Sequence, residues 1–163
     1  MFTEEAKKKL DVIVKKYPTK KAALLPALWL AQEENGGWLP REAMKEVAGY
    51  LNLPPADVEG VATFYTMYNK APIGKYHLEV CHNIVCMFLG ADQLIEHIGD
   101  KLGINKGETT PDRKFTLNGA ECLGACANAP CMMVGDTYYE DLTPEIADRI
   151  IDELARKDEP ALV

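Results

Sequence analysis

Residues 69–81, NKAPIGKYHLEVC, mark the point at which the hydrophobic pattern of the chain changes. Proline and glycine in the first half of this stretch end the helical spacing that precedes it. From Tyr76 onward, apolar Leu78 and Val80 alternate with polar neighbours, which predicts a β-strand that ends at Cys81. The change of period therefore predicts a boundary between a helical domain and a domain that contains a sheet.

The chain before this boundary has helical spacing throughout, and we assign it to a first domain, residues 1–70. Thr3 and Thr19 are predicted N-caps of the first two helices, because their hydroxyl oxygens can accept a backbone N–H of the first turn. Pro40 suits the start of a third helix, and residues 53–55, LPP, separate the third helix from a fourth. Four amphipathic helices with short connections predict a small helical bundle.

The chain after the boundary mixes helix and strand, and we assign it to a second domain, residues 75–158. The strand that ends at Cys81 is followed by an amphipathic helix over residues 91–102 and by a second strand that begins at Phe115. Gly-Asp at residues 135–136 predicts a hairpin turn, and a last amphipathic helix follows the hairpin. The predicted order is β-α-β-β-β-α, and the fold class of the whole chain is α+β.

Composition and charge exclude several classes of partner. The 163 residues include 18 Lys and Arg against 25 Asp and Glu, a net charge of −7, and no extended run that is rich in Lys or Arg. Binding to a phosphate backbone needs clustered cations, so we expect no nucleic-acid partner. The longest uncharged apolar run, residues 22–31, is shorter than the roughly 20 residues that cross a bilayer, so we expect no direct membrane insertion.

The N-terminal sequence, MFTEEAKKK, lacks the apolar segment of a secretory signal and the acid-poor composition of a transit peptide. We therefore expect a cytoplasmic location and a reducing environment. In such an environment, cysteines bind metals or carry out redox chemistry more often than they form structural disulfides.

The five cysteines fall into two spaced pairs and one further residue, Cys131. Four residues separate Cys81 from Cys86, and three residues separate Cys122 from Cys126. Four thiolates in two pairs suit a two-iron centre, because each iron needs two protein sulfurs beside its two bridging sulfides. No Cys-x-x-Cys occurs, which excludes the thioredoxin dithiol motif and the commonest zinc-ribbon spacing. A four-cysteine zinc site and a set of buried cysteines without a metal remain as alternatives.

Three further stretches carry a resemblance to a known family. Residues 60–65 (GVATFY), 121–130 (ECLGACANAP) and 138–145 (YYEDLTPE) resemble the small [2Fe-2S] subunits of bacterial respiratory NADH:quinone oxidoreductase, complex I. Members of this family are the thioredoxin-like [2Fe-2S] ferredoxin subunits of the NADH-oxidising module. Together with the helical N-terminal part, Cys81 and Cys86, the resemblance covers nearly the whole sequence.

The resemblance implies a fold and a set of ligands. The second domain would have a thioredoxin-like α/β fold without the thioredoxin dithiol, and it would carry one [2Fe-2S] cluster. Cys81 and Cys86 would bind one iron, and Cys122 and Cys126 would bind the other. The family commonly has a residue other than cysteine where this protein has Cys131. The simplest interpretation of Cys131 is a small residue packed beside the cluster, and a spare thiol is the alternative.

The resemblance also implies cofactors and partners outside this chain. A separate flavoprotein subunit would bind FMN and NADH, and the cluster would exchange an electron with that FMN. The helical domain would dock on the flavoprotein, and a helical part that serves only as a stabilising cap stays open as the alternative. The large iron–sulfur subunit of the same module would be a second partner. The complex would be peripheral, on the cytoplasmic side of the inner membrane. The sequence contains neither Gly-x-Gly-x-x-Gly nor a P-loop motif, so we expect no NADH oxidation by this chain alone.

Two other classes of function stay open. One is a stand-alone two-iron ferredoxin, or the equivalent subunit of an NAD-linked hydrogenase or formate dehydrogenase. The other is a zinc-stabilised interaction domain. For an iron–sulfur subunit we expect a low reduction potential, because an acidic chain opposes the added electron. His77, His82 and His97 are scattered in the sequence, and we expect them to be surface residues rather than ligands.

Overall fold

The structure, a computed structural model, describes residues 2–157 of the chain. It divides into two compact units, and the chain passes from the first to the second after Pro72. The regular elements described for the first unit are helices, whereas the second unit combines helices with a four-stranded sheet. This arrangement confirms the predicted α+β class. Residue 158, at which we predicted the second domain to end, lies outside the described residues.

Four α-helices build the described part of the first unit. The hydroxyl oxygen of Thr3 accepts a hydrogen bond from the backbone N–H of Ala6 at 3.1 Å, so Thr3 is the N-cap that its position predicts. Thr19 likewise accepts from the N–H of Ala22 at 3.2 Å, but a short 3-10 turn, Lys21–Ala23, precedes the second α-helix. The helices are α1 (Glu4–Lys15), α2 (Leu24–Glu34), α3 (Arg41–Leu51) and α4 (Pro55–Phe64).

Each helix of the first unit contributes buried apolar residues to one core. Tyr68, which follows α4, lies in the same core and donates its hydroxyl hydrogen to the carbonyl oxygen of Leu25 at 2.8 Å. Gln32 of α2 holds the neighbouring backbone, because its side-chain amide donates to the carbonyl of Met67 and accepts from the N–H of Asn69. These bonds fix the position at which the chain leaves the bundle.

The second unit alternates strands and helices. Its elements are β1 (Tyr76–Cys81), α5 (Ile84–Phe88), α6 (Ala91–Leu102), β2 (Phe115–Ala120), β3 (Met132–Val134), β4 (Thr137–Tyr139) and α7 (Pro144–Arg156). The predicted strands, hairpin and two long helices are confirmed. Helix α5 was not predicted, because five residues are too few to display a helical period. Over residues 2–157, no helix combines the length and the apolar character that crossing a bilayer requires.

The strands are arranged in the order β2-β1-β3-β4. Strand β1 runs parallel to β2, with Leu78 opposite Leu117, and antiparallel to β3, with Val80 opposite Met132. These four side chains belong to a buried core that also includes residues of α6 and α7, such as Ile98 of α6. Parallel strands cannot be joined by a tight turn, and α5 and α6 lie in the crossover between β1 and β2.

The parallel pairing brings the ends of β1 and β2 to the same edge of the sheet. Cys81, the last residue of β1, lies opposite Ala120, the last residue of β2. The two segments that carry the cysteine pairs therefore begin side by side, although they are far apart in the sequence.

Candidate metal centre

Three buried cysteines meet at the edge of the sheet where β1 and β2 end. Cys81 closes β1, Cys86 lies in α5, and Cys131 directly precedes β3; solvent reaches 3%, 2% and 0% of these residues. Their Sγ atoms all lie within 4.8 Å of one another, and those of Cys86 and Cys131 are 4.0 Å apart. Sulfurs bound to one tetrahedral ion at about 2.3 Å lie about 3.8 Å from each other. The spacing of these thiols is therefore suited to a soft metal centre.

Helix α5 places Cys86 beside Cys81. The helix begins after Asn83, whose side-chain oxygen accepts the backbone N–H of Ile84 at 2.8 Å and so acts as the N-cap. Gly90 ends this segment with φ at +94°, a left-handed conformation that glycine adopts without steric cost, and α6 begins immediately afterwards. A short helix bounded by a cap and a glycine thus holds one thiol inside the site.

The surroundings of Cys81 favour its thiolate form. Burial by itself raises the pKa of this thiol, but hydrogen bonds from the backbone N–H groups of Asn83 and Leu123 lower it. The nearby thiols of Cys86 and Cys131 lower it further, and the net result is a pKa below the ordinary value for cysteine. Cys81 is therefore prepared to act as an anionic ligand, because the thiolate is the form that binds metals.

The other two buried thiols shift in the opposite direction. Burial raises the pKa of Cys86, and its contact with Cys81 raises it further. Burial, together with the charges of Cys86 and Cys81 nearby, raises the pKa of Cys131 to about 12. Without a metal, the thiolate form is therefore favoured more at Cys81 than at Cys86 and Cys131.

The second predicted pair, Cys122 and Cys126, lies outside the group of close thiols, and both residues are exposed. Cys122 follows β2 by two positions, and Cys126 begins a short 3-10 turn, Cys126–Asn128. Between them, Gly124 has φ at +77°, which favours glycine because a side chain would strain the backbone there. The structure thus brings together Cys81, Cys86 and the unpaired Cys131, and it leaves the ligand role of the second pair as a prediction.

The loop that carries the second pair nevertheless packs on the buried thiols. Leu123, Ala125 and Ala129 contact the cluster of buried residues that contains the three close cysteines. The hydroxyl of Tyr138 in β4 donates to the carbonyl oxygen of Leu123 at 2.9 Å. At the far end of the loop, the carbonyl of Asn128 accepts the backbone N–H of Asp141 at 2.8 Å. Residues from both cysteine segments therefore pack in the same buried cluster.

The histidines occupy three different environments, and among residues 2–157 none joins the close thiols. His97 on α6 lies 2.9 Å from the carboxylate of Asp148 on α7, so it links two helices. His82 follows Cys81 and packs on Gly119, where an added Cβ would lie 2.6 Å from the imidazole ring.

All three histidines are half-buried rather than fully exposed, and His77 lies on β1. Its Nε2 lies 2.7 Å from the side-chain nitrogen of Asn118, the neighbouring polar residue on β2. Burial lowers the pKa of His77 to about 4, so its imidazole is neutral near pH 7.

Helix α5 exposes a run of large apolar side chains beside the site, a feature that the sequence interpretation missed. Solvent reaches 61% of Ile84, 78% of Phe88 and 56% of Leu89. Val85 and Met87 are exposed as well, while Cys86 between them is buried. The signal was present in the run IVCMFL, residues 84–89, but only the structure separates its outward side chains from its inward thiol. We call the outward side chains the α5 patch: Ile84, Val85, Met87, Phe88 and Leu89.

Comparison with known proteins identifies relatives along most of the sequence. The family model for thioredoxin-like [2Fe-2S] ferredoxins matches residues 10–155. The E subunit of NADH-quinone oxidoreductase from Rickettsia bellii is 51% identical over 144 residues, which cover 87% of this chain and 86% of that protein. The mitochondrial NADH dehydrogenase [ubiquinone] flavoprotein 2 of Dictyostelium discoideum is 44% identical over 155 residues, or 94% of this chain and 63% of that protein.

The fold is also similar to that of a solved structure with little sequence identity. The NAD+-reducing [NiFe]-hydrogenase in the air-oxidised state matches with a TM-score of 0.70 at 22% identity, over 83% of this chain and 23% of that chain. At this level of identity the similarity concerns the fold alone. With the family match, the thioredoxin-like character predicted for the second domain is confirmed.

Proposed function

This protein belongs to the thioredoxin-like [2Fe-2S] ferredoxin family, and from that premise we propose that it is the small electron-transfer subunit of an NADH:quinone oxidoreductase. It holds one [2Fe-2S] cluster between the segments that follow β1 and β2. Cys81 and Cys86 bind one iron, and Cys122 and Cys126 bind the other. When bound, such a cluster accepts and releases a single electron.

One observation carries this proposal: the two cysteine segments meet at the buried thiols. The backbone N–H of Leu123, which lies between Cys122 and Cys126 in the sequence, hydrogen-bonds to the thiol of Cys81. The first segment contributes two buried sulfurs, and the second contributes two sulfurs within five residues of sequence. A donor set of four sulfurs on two adjoining segments fits a two-iron centre, because each iron takes two protein sulfurs.

The protein itself supplies charge stabilisation and shielding from water. Backbone N–H groups of Asn83 and Leu123 point at the sulfur of Cys81 and stabilise negative charge there. Ala91, Leu123 and Ala129 surround the thiols with apolar atoms. The net charge of −7 acts in the opposite direction and makes an added electron more costly. We therefore retain the expectation of a low reduction potential.

The partner that exchanges the electron is a flavoprotein subunit that holds FMN and NADH. The α5 patch supports this part of the proposal, because it lies on and directly after the helix that carries Cys86 and exposes five large apolar side chains. The first unit also exposes aromatic residues, with Phe64 exposed at 77% and Trp29 at 41%. Aromatic side chains are enriched in protein interfaces, so we propose that residues 1–70 dock on the same partner.

The names of the same relatives support a wider assembly. Two relatives are named as components of NADH-oxidising enzymes, and we propose that this protein works in such a complex together with a large iron–sulfur subunit. In that assembly it is peripheral, on the cytoplasmic side of the inner membrane.

Anaerobic purification of the full chain, alone and co-expressed with its flavoprotein partner, tests the proposal. We expect a brown protein with two irons and two acid-labile sulfides per chain, and an S = 1/2 EPR signal after reduction by dithionite. We also expect the flavoprotein, with FMN bound, to co-purify. One zinc per chain without visible absorption would contradict the iron–sulfur assignment. Co-purification of hydrogenase or formate dehydrogenase subunits instead would contradict the proposed parent complex but not the iron–sulfur assignment.

A further inference from the structure

The four-ligand assignment leaves one thiol of the buried group, Cys131, without a role. Its Sγ is fully buried, 4.0 Å from the Sγ of Cys86 and within 4.8 Å of the Sγ of Cys81. We propose that Cys131 donates an S–H hydrogen bond to the ligand sulfur of Cys86 and thereby raises the reduction potential of the cluster. This inference rests on the proposed function, because it requires a cluster bound through Cys86.

The backbone on both sides of Cys131 is held by hydrogen bonds. Its own carbonyl oxygen accepts the N–H of Cys81 at 3.0 Å, which joins the start of β3 to the end of β1. The preceding residue, Pro130, accepts the N–H of Leu142 at 3.0 Å through its carbonyl oxygen. The next residue, Met132, pairs with Val80 in the sheet and is fully buried. The backbone of Cys131 is therefore fixed beside the end of β1, and its side chain is enclosed in the buried group of thiols.

The sulfurs of Cys81 and Cys86 are the acceptors that the Cys131 thiol can reach in this group. The other side chains packed there are Ala91, Leu123, Ala125 and Ala129, and none of them carries a polar atom. A hydrogen-bond donor enclosed by apolar groups gains free energy from whatever acceptor is present. The S–H group is a weak donor, but a buried site of low dielectric strengthens its interaction with a sulfur that carries negative charge.

A donor at this position favours the reduced state over the oxidised state. Reduction transfers one electron from the reductant to the two-iron centre and increases the negative charge on the ligand sulfurs. The proton stays on Cys131, and its hydrogen bond to the sulfur of Cys86 becomes stronger as that charge grows. The reduction potential is therefore higher than it would be without the thiol. The effect partly offsets the acidic charge of the protein.

An EPR-monitored redox titration of the full chain, purified anaerobically with its cluster, tests this role in three variants. Cys131→Ala and Cys131→Val both remove the donor, and they differ in size. Cys131→Ser keeps a donor of similar size. We expect the midpoint potential to become more negative in the Ala and Val variants, and to stay at or above the wild-type value in the Ser variant. Equal midpoint potentials in the wild type and all three variants would overturn the proposal. Midpoint potentials that change with the size of side chain 131, rather than with the presence of a hydrogen-bond donor, would overturn it as well.

Iron content, sulfide content and the EPR g values separate this role from direct ligation. We expect all three variants to keep two irons, two sulfides and the wild-type g values. Loss of the cluster from a folded Cys131→Ala protein would make Cys131 a ligand and would overturn the proposal. If Cys131→Ala gives no cooperative thermal transition, that variant is not folded. The midpoint potentials of the Ser and Val variants then test the proposal. A wild-type protein without a two-iron signal would overturn the proposed function together with this inference. A wild-type protein that holds the cluster, with variants whose midpoint potentials equal that of the wild type, would overturn the inference alone.

Discussion

The Sγ of Cys86 lies 4.0 Å from the Sγ of Cys131, although 45 positions separate the two residues in the sequence. The contact exists because β3 pairs with β1, so that the residue before β3 meets the residues that follow β1. Sheet pairing therefore decides which thiols become neighbours, and the spacing of cysteines in the sequence does not decide it alone.

Replacement of Cys122 tests whether the exposed loop supplies ligands to the cluster. In Cys122→Ala we expect loss of the dithionite-reduced [2Fe-2S] EPR signal, because one iron would lack its second protein sulfur. The control is Glu121→Ala, which changes the exposed neighbouring residue and keeps every cysteine. A wild-type signal in Cys122→Ala would contradict the assignment of this residue as a ligand.

Gly124 provides a test of the loop conformation. In Gly124→Ala we expect a loss of about 1–2 kcal/mol of stability in the loop, because φ is +77° and a Cβ strains the left-handed conformation. No atom would lie within 4 Å of that Cβ, so the loss arises from the backbone alone. The measurement is the rate at which a chelator removes iron from the folded protein, and we expect a faster rate than in the wild type.

Gly49 in α3 offers the matched glycine control. A Cβ there would also meet no atom within 4 Å, but its backbone is helical. In Gly49→Ala we expect a gain of roughly 0.5–1 kcal/mol in the free energy of unfolding of the bundle, because alanine favours the helix. Iron release should stay at the wild-type rate. Equal iron release in both glycine variants would show that the conformation of residue 124 does not matter to the site.

His77 makes folding stability depend on pH. Its pKa is about 4 in the folded protein and 6.5 in the unfolded protein, so between these values only the unfolded state binds the proton. Stability is therefore retained above pH 6.5 and is lost as the pH falls toward 4, by up to about 3 kcal/mol. Urea unfolding at several pH values, compared between the wild type and His77→Gln, measures this loss.

Glu79 on the same strand changes the folding stability with pH in the opposite direction to His77. For this reason the wild type is compared with His77→Gln, which also contains Glu79. Burial raises the pKa of Glu79 in the folded protein, so the folded state binds its proton more readily and gains stability as the pH falls. The difference between wild type and His77→Gln removes this contribution, because both proteins contain Glu79. Parallel pH profiles in the two proteins would contradict a depressed pKa at His77.

The α5 patch gives a direct test of partner docking. Phe88 is exposed at 78%, and full burial of a phenylalanine side chain in an interface contributes about 2 kcal/mol, so Phe88→Ser should weaken binding of the flavoprotein roughly 30-fold. The cluster content and the melting temperature should not change, because the side chain contacts mostly solvent. Glu96→Ser on α6, an exposed residue outside the patch, is the control. Equal affinity of both variants would exclude Phe88 from the interface.

Local patterns in the sequence predicted most of the elements. The alternation from Tyr76 to Val80 predicted β1, and the apolar spacing of Leu94 and Ile98 predicted α6, because both signals depend on residues only a few positions apart. Thr3 was identified as an N-cap for the same reason. The sequence pattern did not predict helix α5, because its five residues show no helical period and its apolar side chains face solvent.

The sequence by itself determined the helical and mixed parts of the protein, the two spaced cysteine pairs and the family resemblance. Each of these depends on residues that are close together in the sequence. Only the tertiary structure decided that Cys131 joins Cys81 and Cys86 while Cys122 and Cys126 are exposed. It also decided that His77, His82 and His97 are half-buried rather than exposed. These outcomes depend on the strand order β2-β1-β3-β4, and pairing between distant strands follows from the packing of the whole core rather than from any local pattern.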